Sequence, residues 1–253
     1  MTPLRLSKCG QCAAALAFEA SGLPRPEPTP EARKRMDLGA GFEALVLADL
    51  EAKGAHIFDR QRAVYVDGVL GHIDAIARWE GGEPELIEIK SMGANSWRDF
   101  TQNGIRFAGS PWNRQYYSQV NAYMHGLRED GLAVTQCRVV VAKRDDKSAD
   151  PLSAPLETQQ EILPYDEDEV ARVRQRLNRI AAFVGQNDSA SPFHRVDLEP
   201  IQPRDLREHT LDDAGCLRVI CRWCDYKTSC WGELEEIPGK YSVRLMPRSE
   251  TEF

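Results

Sequence analysis

Apolar positions along the chain keep two rhythms. In "RMDLGAGFEALVLADLEAKG" they fall at Phe42, Leu45, Val46 and Leu50, the spacing that gives a helix one buried stripe, and Gly54 is a natural stop. "AVYVDG", "LGHIDAIARWE" and "PELIEIK" follow, rich in β-branched and aliphatic residues and separated by glycines. They predict a meander of strands with a hairpin turn at Gly81-Gly82. "PWNRQYYSQVNAYMHGL" predicts a helix with Pro111 in its first turn, and "CRVVVAKR" another strand. "DEDEVARVRQRLNRIAAFVGQ" predicts a long helix, its acids leading and its arginines following as the helix dipole prefers. Residues 5–22 predict a short helix, and "LPRPEPTPE" after them a connector too rich in proline for a helix or central strand. Residues 91–114 show no clear period. There is no internal repeat, and the order of elements predicts an α/β protein with a mixed core.

A chain of 253 residues can hold one large domain, or one with a satellite, and 42% hydrophobic with 28% charged residues is an ordinary globular balance. No apolar run approaches the ~20 residues of a membrane span, so no membrane partner is expected. The stretch "CAAALAF" is bracketed by Lys8 and Glu19, too short and interrupted for a signal peptide. A cytoplasmic protein is therefore expected. Its seven cysteines, an odd number, argue against a disulfide framework there. The net charge of −7 weighs mildly against nucleic acid, since phosphate binding is driven by Lys and Arg. Acidic metal clusters and locally concentrated basic residues both weaken that objection.

The candidate chemistry lies in "GHIDAI" and "ELIEIK". Glu88 and Lys90 are two apart on a predicted strand and share a face, while Ile89 points into the core. An odd number of residues in the turn would set Asp74 opposite Glu88 or Lys90. Two carboxylates then converge, and repel unless a cation sits between them; hard oxygen ligands suit Mg²⁺ or Mn²⁺. A solvated strand face with Lys90 paired to Glu88 would give the same three letters. The helices favour the chemical reading: Glu43 precedes the strands, and Gln119 and Tyr123 lie i,i+4 on the helix after them. His72 shares the face of Asp74 and reads as a packed, hydrogen-bonded residue rather than a ligand.

Asp74…Glu88-Ile89-Lys90 followed by Gln119-x-x-x-Tyr123 resembles the PD-(D/E)XK nuclease core in its RecB-like branch, and "GAGFEALVLADLE" resembles that family's glutamate-bearing helix. Ile73 stands where the family name has proline. The resemblance implies a restriction-endonuclease-like mixed β-sheet core flanked by helices. It implies a metal held by Glu43, Asp74, Glu88 and the Ile89 carbonyl, Lys90 on the attacked phosphate, and Gln119 and Tyr123 orienting DNA or Lys90. The implied activity is that of a deoxyribonuclease, an exonuclease on DNA that is single-stranded or has a free end, with a recombination, repair or CRISPR/phage protein as partner. Two rival readings are an idle DNA-binding or helicase-partner module of the same fold, and a zinc-stapled protein unrelated to nucleic acid.

"CRWCDYKTSC" spaces Cys221, Cys224 and Cys230 as C-x2-C-x5-C, one ligand short of a tetrahedral site. Four thiolates suit Zn²⁺ or a [4Fe–4S] cluster alike. An AddB-like iron–sulfur group within these nucleases, with its CRISPR-associated and phage relatives, carries an N-terminal cysteine plus this C-terminal pattern, which implies the cluster. Cys9 and Cys12 both qualify as the fourth ligand. The family segment around "CAAALAFEASG" favours Cys12, with Ala13 where proline is common. The implied organisation is an iron–sulfur subdomain from residues 1–30 and 200–253 around a nuclease core at 31–199. Cys137 and Cys216 read as bystanders. In residues 91–114, Arg98, Arg106 and Arg114 face one acid, Asp99, with aromatics such as Trp97 interleaved, as in a single-strand channel.

Overall fold

The computed structural model describes residues 3–144, 150, 152–153, 155–187, 195–198, 201, 211–239 and 243–248. It divides into two compact units, Arg5–Gly10 with Glu27–Arg174, and Met1–Leu4 with Gln11–Pro26 and Gln175–Phe253. The division falls inside a helix at Arg174, and Arg5–Gly10 goes with the larger unit, where the sequence reading drew lines at 30 and 199.

In the larger unit a mixed sheet is ordered β1-β4-β5-β6-β7, from β1 (His56–Phe58), β4 (Ala75–Arg78), β5 (Glu85–Met92), β6 (Gln136–Lys143) and β7 (Thr158–Pro164). Only the central pair, β5 and β6, is parallel. A parallel pair needs a crossover, and α3 (Ala94–Asn103) and α4 (Pro111–Glu129) supply it. Residues 91–114 are thus not an aperiodic loop. Trp97 and Phe100 are buried on α3, and a three-residue spacing so short had not marked a helix.

Helix α2 (Pro30–Ala52) begins further upstream than its apolar stripe suggested, because Thr29 caps it by accepting from the Ala32 amide and Pro30 suits the first turn. Its residues Phe42, Val46, Leu47 and Leu50 pack on Ala75, Ala77, Ile87, Ile89, Val140 and Ala142. Alternation therefore turns Glu88 to the opposite face, where α4 lies. A hairpin of β2 (Ala63–Val66) and β3 (Val69–His72) turns on Asp67-Gly68, both at positive φ, as a two-residue hairpin requires. Gly71 in β3 makes room for the site: a Cβ there would fall 2.5 Å from Cε1 of Tyr123. His72 is exposed, so it is not the packed residue expected. The predicted long helix is α5 (Glu167–Gln186).

In the smaller unit α1 (Ala13–Ala20) packs Ala13, Ala14, Leu16, Ala17 and Phe18 against Ile180, Phe183, Val184, Leu198 and Tyr226. Two short helices, α6 (Val219–Arg222) and α7 (Lys227–Trp231), carry Cys221 and Cys230 with Cys224 in the turn between them, and β8 (Leu234–Ile237) pairs with β9 (Arg244–Pro247). The helix expected over 5–22 is broken: Leu6–Lys8 form a separate 3₁₀ turn, so Cys9 and Cys12 do not share a helical face.

Candidate active site

The register of β4 on β5 sets Ala75 opposite Ile87, and one step on brings Asp74 across from Glu88. The Ile89 amide crosses the pair to donate to Oδ2 of Asp74 at 2.7 Å. Glu88 is fully buried. Its Oε1 takes the amide of Gln119 at 2.6 Å and the ammonium of Lys90 at 2.5 Å. Its Oε2 is buried and meets no donor among the described residues. Tyr123, one turn beyond Gln119 on the same face of α4, is buried. Glu43 stands on α2, held through Oε1 by Gln61 Nε2 at 2.7 Å, and its charge reaches Asp74. Asp74, Glu88, Lys90, Gln119 and Tyr123, which the sequence singled out, therefore converge, and Glu43 stands on a neighbouring helix within electrostatic reach of Asp74.

The electrostatics are those of an excess of buried negative charge. Burial first, and Glu88 second, push the Asp74 carboxyl well above the usual carboxylate range. Burial alone would lower the Lys90 ammonium, but Glu88 and Asp74 outweigh it and raise it. Burial and then Glu88 likewise raise the Tyr123 phenol. One ammonium serves the buried Glu88 and the half-buried Asp74 with a third carboxylate nearby, and Glu88 keeps an orphaned oxygen. A divalent cation with oxygen preference fits that donor set. Among the described residues no three His, Cys, Asp or Glu side chains are already grouped at coordination distance.

Two residues of the site escaped the sequence reading. Tyr116 lies with its ring centroid 4.8 Å from Lys90 Nζ, a cation–π contact that the three-residue step from Gln119 could have signalled. Gln61 has no sequence signal.

No protein-family model matches the chain, and no curated protein matches it. Among solved structures it is similar to an alkaline exonuclease (LHK-Exo) from Laribacter hongkongensis, at 14% identity over 74% of this chain and 89% of that one, with a TM-score of 0.48. A phage-related exonuclease from Haemophilus somnus 129PT matches at 9% identity over 73% of this chain and 94% of that one, with a TM-score of 0.46. The chemistry of this chain is therefore read from its own residues.

The proposed DNA contacts fare unevenly. Arg98 is exposed on α3 and Arg114 half-buried on α4. Arg106 lies 3.5 Å from Asp166, its guanidinium over the rings of Phe107 and Tyr117, in a hollow that Glu167 and Asp168 also line. That acid wall weakens it as a phosphate anchor. Trp97 is only 8% exposed, with Lys143 Nζ 5.9 Å from its ring centroid, so it packs α3 down and offers no face to a base. The exposed rings of this region are Phe107 and Trp112.

Cys12, at the N-cap of α1, packs with Cys224 and Cys230 on one core. Burial pushes the Cys224 thiol up to about 11, with Cys12 among the charges acting on it. Arg25 joins Asp225 at 2.5 Å, and Phe18 stacks on Tyr226, fixing residues 221–230 against α1. Cys9 is buried in the larger unit. Cys137 and Cys216 are buried as well, Cys137 on β6 with its thiol raised by burial.

Proposed function

We propose that this protein is a metal-dependent deoxyribonuclease, an exonuclease on single-stranded DNA ends, with a structural [4Fe–4S] cluster on Cys12, Cys221, Cys224 and Cys230. The observation that carries the hydrolytic reading is the orphaned, buried Oε2 of Glu88 beside the half-buried Asp74, with one ammonium serving both carboxylates. Mg²⁺ or Mn²⁺, bound there, would supply Lewis acidity and a water of lowered pKa.

Asp74, Glu88, Glu43 and the Ile89 carbonyl would hold that ion. Gln119 fixes the Glu88 carboxylate by its amide, so the orphaned oxygen keeps its direction. Lys90, charged and held between Glu88 and the Tyr116 ring, is placed to offset the charge that grows on an attacked phosphate. Tyr123, one turn on along the same face of α4, would orient the DNA or Lys90. Arg98 would contact the DNA backbone, and Phe107 and Trp112 offer rings for unpaired bases.

The test is cleavage of end-labelled oligonucleotides with Mn²⁺, single- and double-stranded, linear and circular. Wild type should shorten linear single strands and spare circles, and Lys90→Ala should be inert while still binding the strand. Equal cleavage by Lys90→Ala would overturn the assignment.

A further inference from the structure

We infer that Gln61 is a positioning residue that holds Glu43 and ties it to Asp74, setting the third carboxylate of the site. This rests on reading Asp74, Glu88 and Glu43 as a metal site.

Gln61 belongs to the turn 59–62 that joins β1 to β2. Its Nε2 donates to Oε1 of Glu43 at 2.7 Å, and its backbone amide donates to the Asp74 carbonyl at 3.1 Å. One side chain thus bridges α2, and one backbone group the residue that enters β4. The rest of the turn is anchored without it. Arg60 pairs with Glu51 of α2 at 2.5 Å, and the Ile73 amide donates to the Arg62 carbonyl at 3.0 Å.

The backbone at Gln61 is in the left-handed region, at φ 54°, and at Asp59 it is there too, at φ 50°. Aspartate tolerates that region, but glutamine has no such preference, and glycine would adopt it freely. A residue kept in a disfavoured conformation, in a turn already held by other bonds, is held there for its side chain. What the side chain adds is one neutral amide on one oxygen of Glu43. It fixes the carboxylate and occupies Oε1, so Oε2 is the oxygen that a cation would take. An arginine or lysine in its place would also fix Glu43, but would cancel the charge that attracts the metal.

Mn²⁺ binding to the full chain, followed by calorimetry and by electron paramagnetic resonance of the free ion, tests this beside thermal melting in EDTA. Gln61→Gly removes the amide and relaxes the backbone. Its Mn²⁺ affinity should fall about 10- to 100-fold, as when other groups that orient metal ligands are lost, while its melting temperature in EDTA stays at or above that of wild type. Gln61→Asn, which tolerates the left-handed region but is too short to reach Glu43, should lose affinity likewise and serves if the glycine variant folds poorly. Wild-type Mn²⁺ affinity in either variant, with Asp74→Ala having lost it, would overturn the role of Gln61 alone. Wild-type affinity in Asp74→Ala would overturn the metal site itself, and the role of Gln61 with it.

Discussion

Replacing Asp74 with asparagine should make the metal-free protein more stable while depriving it of metal. Asp74 and Glu88 face one another on antiparallel strands, where opposed Cβ atoms are about 5 Å apart. Unit charges at about that distance repel by about 3 kcal/mol at an effective dielectric of ~20. Lys90, bonded to Glu88, offsets part of this, so the relief from Asp74→Asn is set at about 1–2 kcal/mol. The asparagine oxygen keeps the bond from the Ile89 amide, so no donor is orphaned. At about 2–4 °C per kcal/mol for a chain of this size, the variant should melt about 2–8 °C above wild type in EDTA. Saturating Mn²⁺ should reverse the order. A ligand at about a hundred times its Kd stabilises wild type by about 2.7 kcal/mol, and the variant should gain almost nothing. Differential scanning calorimetry with EDTA and with Mn²⁺ gives all four values. A variant that melts several degrees below wild type in EDTA would refute the repulsion. One that Mn²⁺ stabilises as much as wild type would refute the metal assignment.

Arg98→Ala should weaken binding to single-stranded DNA and reduce the salt slope by roughly 0.7, while Arg106→Ala, against its acid wall, should change the slope much less; titrations at several salt concentrations compare them. Asp99 takes bonds from Asn103, the Gly109 and Ser110 amides and Asn113, which outweigh its burial and lower its carboxyl below the usual range. Its stabilisation is therefore present above the unfolded value of 3.8 and lost as pH falls through the lower folded value, so Asp99→Asn should destabilise at neutral pH, by about 1.5–3 kcal/mol, and converge on wild type in strong acid. Cys12→Ser and Cys224→Ser should lose iron and visible absorption together while Cys9→Ser keeps both; iron and sulfide analysis of anaerobically purified protein decides it, with zinc in wild type refuting the cluster.

The parts of the site read from sequence are those that obey a local period. Glu88 and Lys90 sit two apart on a strand, and Gln119 and Tyr123 four apart on a helix, so geometry follows from counting. The hairpin register completed the set once the turn proved odd. The apolar stripe of α2 fixed which face carries Glu43. Where the period is broken or weak, the reading failed. Trp97 looked like a ring for a base because α3 was not recognised, and a helix turns its aromatics inward where a loop need not. The single helix expected over residues 5–22 is interrupted after the 3₁₀ turn Leu6–Lys8, so Cys9 lies outside α1 and Cys12 caps it.

Gln61 was illegible for a different reason. Nothing in "FDRQRAV" sets its glutamine apart, since its partners Glu43 and Asp74 lie on other elements and its φ is invisible in the sequence. A sequence read by propensity would place glycine or asparagine at that position. The conflict between the residue and its conformation becomes informative only when both are known. Local choices in a folded chain ordinarily agree with the global structure, and disagreement concentrates where function demands it. The turn 59–62 bears this out in its own anatomy: its three charged members, Asp59, Arg60 and Arg62, spend their side chains on ion pairs that any surface turn could make, while the strained neutral one reaches the carboxylate beside the site.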